Sequence, residues 1–361
     1  MKRALVAMSG GVDSSVSAYL MKKNGYDCVG CTMRLYENNM IGEDMLSTCC
    51  SLKDTEDARS VCNKLGIPYH IFHYENLFQQ EVIENFVSCY ELGLTPNPCI
   101  ECNRHFKFNH LYDKMRENDC EYIVTGHYGR IEFNEETKRY ELKKAVDLTK
   151  DQSYVLYTMT QDQLAHTIFP LGGYKKSEVR EIANENEFKN AKKHESQDIC
   201  FVPDGDYVGF MERYRNKKYP EGDFVDLDGN FLGKHKGYVH YTIGQRKGLG
   251  IAMGYPAYVV DIDAKENKVV LGKNEDLFTR TLEADHINLI SVPDLYEERH
   301  IKAKIRYGMV EQAATVKQIS EDKIVVTFDE PQRAITKGQA VVLYDGDIVV
   351  GGGVITSTVR E

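Results

Sequence analysis

The string Ser9, Gly10, Gly11, Val12, Asp13, Ser14, Ser15, set directly behind the apolar run at residues 4–7, constrains this chain more than any other feature. Two glycines let backbone approach an anion closely. Hydroxyls from Ser9, Ser14 and Ser15, the amides of a first helical turn and the helix dipole all favour phosphate oxygens. Such a cradle needs a strand that ends where a helix begins, with Ala7 and Met8 at the exit, which is the geometry of an α/β domain with a parallel sheet. The spacing is not that of a Walker A loop, whose lysine is missing, nor of a G-x-G-x-x-G dinucleotide loop. A plain N-cap accounts for one Asp or Ser but not for the whole string.

Strand-like and helical patterns alternate from this loop to about residue 204. The reading gives a helix over about 14–24 closed by Gly25, a strand CVGCTMRLY and a helix DTEDARSVCNKLG capped by Gly66. A strand PYHIFHY, helices over about 77–91 and 103–117, and a strand EYIVTGHY follow. Beyond, the texture turns Gly-rich, Tyr-rich and β-branched, with a hairpin turn at Asp345-Gly346. The expected organisation is therefore an α/β domain over 1–204, a central β-rich domain over 205–275 and a C-terminal β-barrel over 276–361. The irregular stretch 291–300 offers a second place for the last boundary.

Ten cysteines in 361 residues, behind an N-terminus that reads as a strand rather than a secretory signal, point to reduced thiols and a cytoplasmic setting. Within TPNPCIECN, two prolines bend the entry to a helix expected from about residue 103, so Cys102 gains thiolate character from the dipole and from Arg104, His105 and Lys107. Cys200, in ESQDICF, is a second candidate near the other end of the same domain. Cys28 and Cys31 share the C-x-x-C spacing but sit in a strand, where residues three apart face opposite sides; with Cys62, Cys89 and Cys120 they read as core. Cys49 and Cys50 stay unassigned. A four-ligand zinc site lacks its second half, and a thioredoxin-type motif lacks its βαβ context.

The net charge of -10 does not advertise a nucleic-acid binder, but basic clusters stand mid-chain. They are Lys189, Lys192, Lys193 and His194; Arg213, Arg215, Lys217 and Lys218; and Lys234, Lys236, Arg246 and Lys247. No apolar run approaches the roughly 20 residues of a membrane span.

Taken in order, SGGVDSS, TPNPCIECN, TGHYGRI, KDQSYVLY, FPLGGYKKSEVR, SQDICF and YTIGQRKGLGI resemble the tRNA-specific 2-thiouridylase (MnmA) family, and the first alone is similar to the PP-loop of N-type ATP pyrophosphatases. The resemblance implies a PP-loop domain followed by two smaller β-rich domains, and a sulfurtransferase. Such an enzyme adenylates the C2 oxygen of a wobble uridine with ATP and replaces it with sulfur, releasing AMP and pyrophosphate. It places ATP on Ala7, Met8, Ser9, Gly10, Gly11, Val12, Asp13, Ser14, Met33 and Gly126, with Asp13 holding Mg²⁺ or polarising the leaving pyrophosphate. It makes Cys102 the nucleophile and Cys200 the persulfide carrier, joined as a disulfide after turnover. It brings the target base to Asn97, Pro98 and Cys99, and further tRNA contacts to His127, Lys150, Asp151, Gln152, Arg306, Tyr307 and Gln339. The implied partners are tRNAs for glutamate, glutamine and lysine, and a cysteine desulfurase or sulfur-relay protein.

Many family members carry Asp where this chain has Cys99. Cys99, Cys102 and Cys200 then match the three thiolate ligands of a 4Fe-4S cluster in related thiolating enzymes, so persulfide and cluster routes both stay open. Two other readings compete: amidation or ligation with AMP release, and a nucleotide-regulated RNA-binding module with structural cysteines.

Overall fold

The computed structural model describes residues 1–36, 52–193 and 199–359; Cys49, Cys50, His194 and the ESQD segment before Cys200 lie outside them. The first domain is built on β1 (Arg3–Ala7), helix α1 (Val12–Lys23), β2 (Asp27–Arg34), α2 (Leu52–Leu65), β3 (Tyr69–His73) and β4 (Tyr122–Val124). A hairpin of β5 (Arg130–Asn134) and β6 (Arg139–Lys143) then precedes β7 (Thr167–Ile168) and α3 (Lys176–Glu185). The sheet runs β3-β2-β1-β4-β7 with every pair parallel. Ala4, Leu5 and Val6 in β1 are wholly buried because helices cover both faces, which is why the strand reads as a continuous apolar run. Strand order reverses at β1: β2 and β3 lie to one side, β4 and β7 to the other. That reversal opens a crevice beyond the carboxyl ends of β1 and β4, and the glycine-serine loop leaves β1 into it.

Cys28 packs with the core cluster on one face of the sheet and Cys31 with the cluster on the other, as strand periodicity requires. Burial pushes the Cys28 thiol up to about 11 and the Cys62 thiol to about 12. Neither ionises near neutrality, so both act as small apolar groups. Cys89 is only half-buried and donates to Asn85 Oδ1 at 3.1 Å.

Helix α4 (Tyr207–Arg215) leads to a four-stranded sheet of β8 (Gly222–Val225), β9 (Phe231–His235), β10 (Tyr258–Asp263) and β11 (Lys268–Gly272), ordered β10-β11-β8-β9. The remaining strands are β12 (Phe278–Leu289), β13 (Arg299–Lys304), β14 (Gln312–Ser320), β15 (Lys323–Arg333), β16 (Ala340–Asp345) and β17 (Ile348–Val359). They form an antiparallel barrel that closes where β12 pairs with β17. The irregular stretch 291–300 is mostly the connection from β12 to β13 inside this barrel, not a boundary. The β16–β17 turn falls on Gly346 and Asp347, one residue later than read, with Gly346 at φ 60° in the first turn position that demands glycine.

The β5–β6 hairpin leaves the first domain to lie beside β17, meeting it at Ile348 and Lys143. Beneath that junction one apolar cluster is shared between the first domain and the barrel: Ile100, Phe108, Tyr154 and Leu156 pack with Ala340, Val342, Tyr344 and Val349.

Part of the expected basic surface turns inward. Arg215 pairs with Glu84 at 2.6 Å and Glu91 at 3.0 Å, and Lys217 with Glu91 at 2.6 Å, which fastens α4 to the first domain. Lys218 and Lys234 pair with Glu212 and Asp223. Arg246 and Lys247 remain exposed on a loop tip.

Candidate active site

The phosphate loop is shaped by its neighbours as much as by its own residues. Gly10 sits at φ 72°, and a Cβ there would lie 2.3 Å from the carbonyl oxygen of Asp54. No other residue fits, on conformation or on space. The Gly10 and Gly11 carbonyls face backward: Asn190 Nδ2 donates to them at 2.9 and 3.2 Å and to Ser15 Oγ at 2.9 Å, while Ser14 and Ser15 hydroxyls donate to Gly11 O at 3.1 and 2.9 Å. Lys193 also reaches Gly10 O, at 3.2 Å, and is anchored by Asp54 and Asp57 on α2. The Ser9 and Gly11 amides bond within the loop, to Ser14 Oγ at 3.2 Å and Ser9 Oγ at 3.4 Å. Helix α1 carries no side-chain cap, leaving its first amides for an anion. Gly126, just past β4, closes in so tightly that a Cβ there would stand 2.9 Å from the Ser14 amide. The two residue groups expected at ATP, after β1 and after β4, are therefore in contact. Met33 lies near the end of β2, half-buried.

Asp13 does not stand alone. Lys176 Nζ donates to both its oxygens at 2.7 and 2.8 Å, and Tyr128 OH to Oδ1 at 2.8 Å. Lys176 is buried, while the Asp13 side chain keeps 31% of its surface exposed. Lys176, Tyr128 and Asn190 escaped assignment from sequence, and Lys193, expected in a basic cluster, turns to the loop instead. For Lys176 a signal existed: it opens α3, where the helix dipole disfavours a cation, so something else had to hold it there.

The cysteine turn starts earlier than read. Asn97 caps a helix that begins at Pro98, its Oδ1 accepting from the Ile100 amide at 3.4 Å, with Pro98 in the first turn. Cys102 therefore sits a full turn inside the helical run, at the start of a π-helical segment (Cys102–His110), and Cys99 is the thiol at the helix start. The predicted dipole effect at Cys102 is weakened accordingly. So is the local positive charge: Arg104 and His105 pair with Glu101 at 3.5 and 3.3 Å, and Lys107 turns to His127 at 3.3 Å. Burial raises the Glu101 carboxyl, but the hydrogen bond from His105 and the charge of Arg104 outweigh it and hold the group below the usual carboxylate value.

Cys102 and Cys200 are both half-buried against one aromatic core that contains Phe78, Phe86, Phe106 and Phe201. Residues nearly a hundred positions apart in sequence thus share one wall. Cys99 is exposed, and among the described residues no three His, Cys, Asp or Glu side chains converge to hold a metal.

The residues expected at tRNA divide into two groups. Arg306 and Tyr307 are exposed on the barrel, Arg306 donating to Arg333 O at 2.7 Å and Tyr307 lying 6.1 Å from the Tyr154 ring. Of the cysteine turn, Cys99 is exposed, Asn97 half-buried and Pro98 buried, while most of the rest turn inward. His127 is buried, with Nδ1 bonded to Thr125 Oγ1 at 2.7 Å and Nε2 facing the Lys107 ammonium; burial, then Lys107, hold it neutral, well below the ordinary value. Asp151 accepts from the Ala145 amide at 3.0 Å and the Ser153 hydroxyl at 2.7 Å, and Gln152 grips the Tyr128 amide at 2.9 Å. Lys150 is half-buried, its amide bonded to Asp147 O at 3.0 Å. Gln339 Nε2 donates to Thr95 O and Pro96 O at 2.9 and 3.1 Å.

Comparison with known proteins covers the whole architecture. Residues 2–204 match a family model described as tRNA methyl transferase HUP domain, 208–273 the PRC-barrel domain of the same family, and 279–355 an aminomethyltransferase beta-barrel domain. A tRNA-specific 2-thiouridylase MnmA of Clostridioides difficile (strain 630) is 52% identical over 354 residues, 98% of each chain. A second, from Thermoanaerobacter sp. (strain X514), is 51% identical over 98% of this chain and 97% of its own. A solved 4-thiouridine synthetase–RNA complex with bound ATP is 17% identical, covers 59% of this chain and 50% of its own, and has a TM-score of 0.34. With about half its residues shared along nearly the full length of these relatives, the chain belongs to the tRNA-specific 2-thiouridylase (MnmA) family.

Proposed function

We propose that the chain converts a tRNA wobble uridine to 2-thiouridine at the expense of ATP; its relatives are named tRNA-specific 2-thiouridylases. The observation that carries the reading is the joint between the uncapped, Gly126-lined loop and Asp13, held by Lys176 and Tyr128. Amides of α1 bind the phosphates, and the Lys176 ammonium balances Asp13 so that the loop presents no net negative charge to the triphosphate. The Asp13 carboxylate has the hard oxygen donors that suit Mg²⁺ carried by ATP, which adds charge neutralisation on the phosphates when bound.

The uridine C2 oxygen attacks the α-phosphorus and pyrophosphate departs, making C2–O a good leaving bond. A Cys200 persulfide supplies sulfur: the Cys102 thiolate attacks Cys200 Sγ, a Cys102–Cys200 disulfide forms, and the outer sulfur leaves with its electron pair to add at C2, from which AMP departs. An external dithiol then resets the disulfide. The shared aromatic wall favours this route, because it brings these two thiols to one core and leaves Cys99 outside. The base meets the turn of Asn97, Pro98 and Cys99, where Cys99 is exposed, and Arg306 and Tyr307 meet the tRNA body. The tRNAs that fit this reading are the glutamate, glutamine and lysine isoacceptors, and a cysteine desulfurase or sulfur-relay protein loads Cys200. Purified protein with ATP, Mg²⁺, a persulfide donor and unmodified tRNA should yield 2-thiouridine on nucleoside mass spectrometry; its absence with AMP also absent would overturn the reading.

A further inference from the structure

Beside the apolar cluster that they share, the first domain and the barrel meet at a polar joint. Lys144, which follows β6, is buried, and its Nζ donates to Glu311 Oε1 at 2.5 Å and to Gly346 O at 2.9 Å. The same ammonium lies 4.7 Å from the centre of the Tyr344 ring. Tyr344 OH meets Ser153 Oγ at 3.3 Å, and that hydroxyl donates to Asp151 Oδ2 at 2.7 Å. One network therefore runs from residues 144–153 of the first domain to positions 311, 344 and 346 of the barrel. With side chains 9% and 17% exposed, Lys144 and Glu311 are withdrawn from water, so removing either partner leaves a charge uncompensated. Burial pushes the Glu311 carboxyl up, but the hydrogen bond from Lys144 outweighs it and holds the group below its usual value.

Glu311 closes the loop of residues 305–311 between β13 and β14, and this loop carries Arg306 and Tyr307. At its other end Arg306 donates to Arg333 O at 2.7 Å, and Lys304 Nζ lies 5.4 Å from the centre of the Tyr344 ring. Tyr307 meets the first domain edge to face, its ring 6.1 Å from that of Tyr154, and stays exposed. The loop is thus tied to the barrel at one end and to the first domain at the other.

We propose that the Lys144–Glu311 pair is a positioning joint for tRNA recognition: it sets where Arg306 and Tyr307 stand relative to the cysteine turn, and so governs RNA affinity without touching RNA. This role rests on the reading of Arg306 and Tyr307 as tRNA contacts. An RNA held by both domains is bound through linked contacts, whose joint strength depends on their spacing being fixed beforehand. A buried pair across the seam supplies that fixing, since domains of one chain otherwise move relative to each other. The sign of the effect is distinctive. Glu311 is an anion beside an RNA-binding loop, so by charge alone its removal favours tRNA; through the joint its removal works against tRNA.

Glu311→Ala should weaken the tRNA Kd roughly five- to tenfold. Its Kd for ATP and its single-turnover rate at saturating tRNA should stay within about twofold of wild type. Lys144→Met should behave alike, whereas Lys144→Arg, still able to donate to Glu311 and Gly346 O, should bind tRNA as wild type does. Because the pair acts through the loop, Glu311→Ala added to Arg306→Ala and Tyr307→Ala should cost less than about a further twofold. In RNA-free protein, amide exchange across 305–311 should quicken in both Glu311→Ala and Lys144→Met, with a thermal melt to confirm that each is folded. Unchanged or tighter tRNA binding by folded Glu311→Ala, a loss confined to Lys144→Met, or a full multiplication of losses in the triple variant would overturn the proposal. Wild-type protein that binds no tRNA would instead sink the tRNA reading, and the exchange measurement then decides by itself whether the joint holds the loop.

Discussion

Lys176→Met is the substitution whose effect the site geometry defines best. In the native site both oxygens of Asp13 accept from the Lys176 ammonium, and Tyr128 adds a third donor. Methionine keeps the aliphatic length and deletes the charge, leaving a carboxylate that faces an incoming triphosphate. Two like charges at ~4–5 Å in an effective dielectric of ~20 repel by about 3–4 kcal/mol. At about 1.4 kcal/mol per factor of ten, adenylation should slow by a few hundred- to a thousandfold. The assay is tRNA-dependent release of pyrophosphate from ATP at saturating tRNA, with a thermal melt to confirm folding. Asp13→Asn removes the repelling charge, so the double variant should be no worse than the poorer single one. If folded Lys176→Met releases pyrophosphate at the wild-type rate, or if the two single losses simply multiply in the double variant, the pair does not act as a unit and the reasoning fails.

Cys102→Ser and Cys200→Ser should each abolish 2-thiouridine while pyrophosphate release continues; retained thiolation in either would exclude the disulfide route. Cys99→Asp should keep thiolation within a fewfold, and its complete loss together with iron in the anaerobically purified wild type would restore the cluster. Asn190→Ala strips donors from the Gly10 and Gly11 carbonyls, which should cost about 1–3 kcal/mol and raise KM for ATP; an unchanged melt and KM would contradict the loop geometry. His127 is held well below 6.5 by burial and then by Lys107, so the unfolded chain takes up a proton that the fold refuses. Stability should therefore fall as pH drops below about 6.5, and His127→Gln should reduce that acid slope by up to about 1.4 kcal/mol per pH unit. His235 and His240, also lowered, remain in the variant, so only the difference between the two melts is diagnostic.

What the sequence shows of the site follows from how local each signal is. The phosphate loop is legible because strand, glycines and hydroxyls are consecutive, and the opposite faces of Cys28 and Cys31 follow from backbone periodicity alone. The helix start at Pro98 is a local signal too, since Asn97 is an N-cap residue ahead of a proline in the first turn. Lys176 and Asn190 were not legible as partners of the loop, because 163 residues separate Lys176 from Asp13 and only the folded sheet closes that distance. Burial is equally non-local: nothing around His127, Asp151 or Gln152 announces that their polar atoms are consumed inside the protein, whereas Arg306 and Tyr307 stay on the surface where a charged, aromatic pair is expected. Two of the basic clusters looked alike on paper, yet the acidic residues that absorb Arg215 and Lys217 come from a helix more than a hundred residues upstream.

The apolar cluster shared by Ile100, Phe108 and the barrel has a consequence for biogenesis. A ribosome delivers the first domain well before β16 and β17, so during that interval Ile100 and its neighbours have no floor and face water. Domains usually fold in order as they emerge, but this one stays incomplete at its chemical centre until the final strands arrive. The exposed patch is then a natural client surface for a holdase, and a chain released prematurely, before residue 340, would carry an intact phosphate loop, an unsupported cysteine helix and a strong tendency to aggregate.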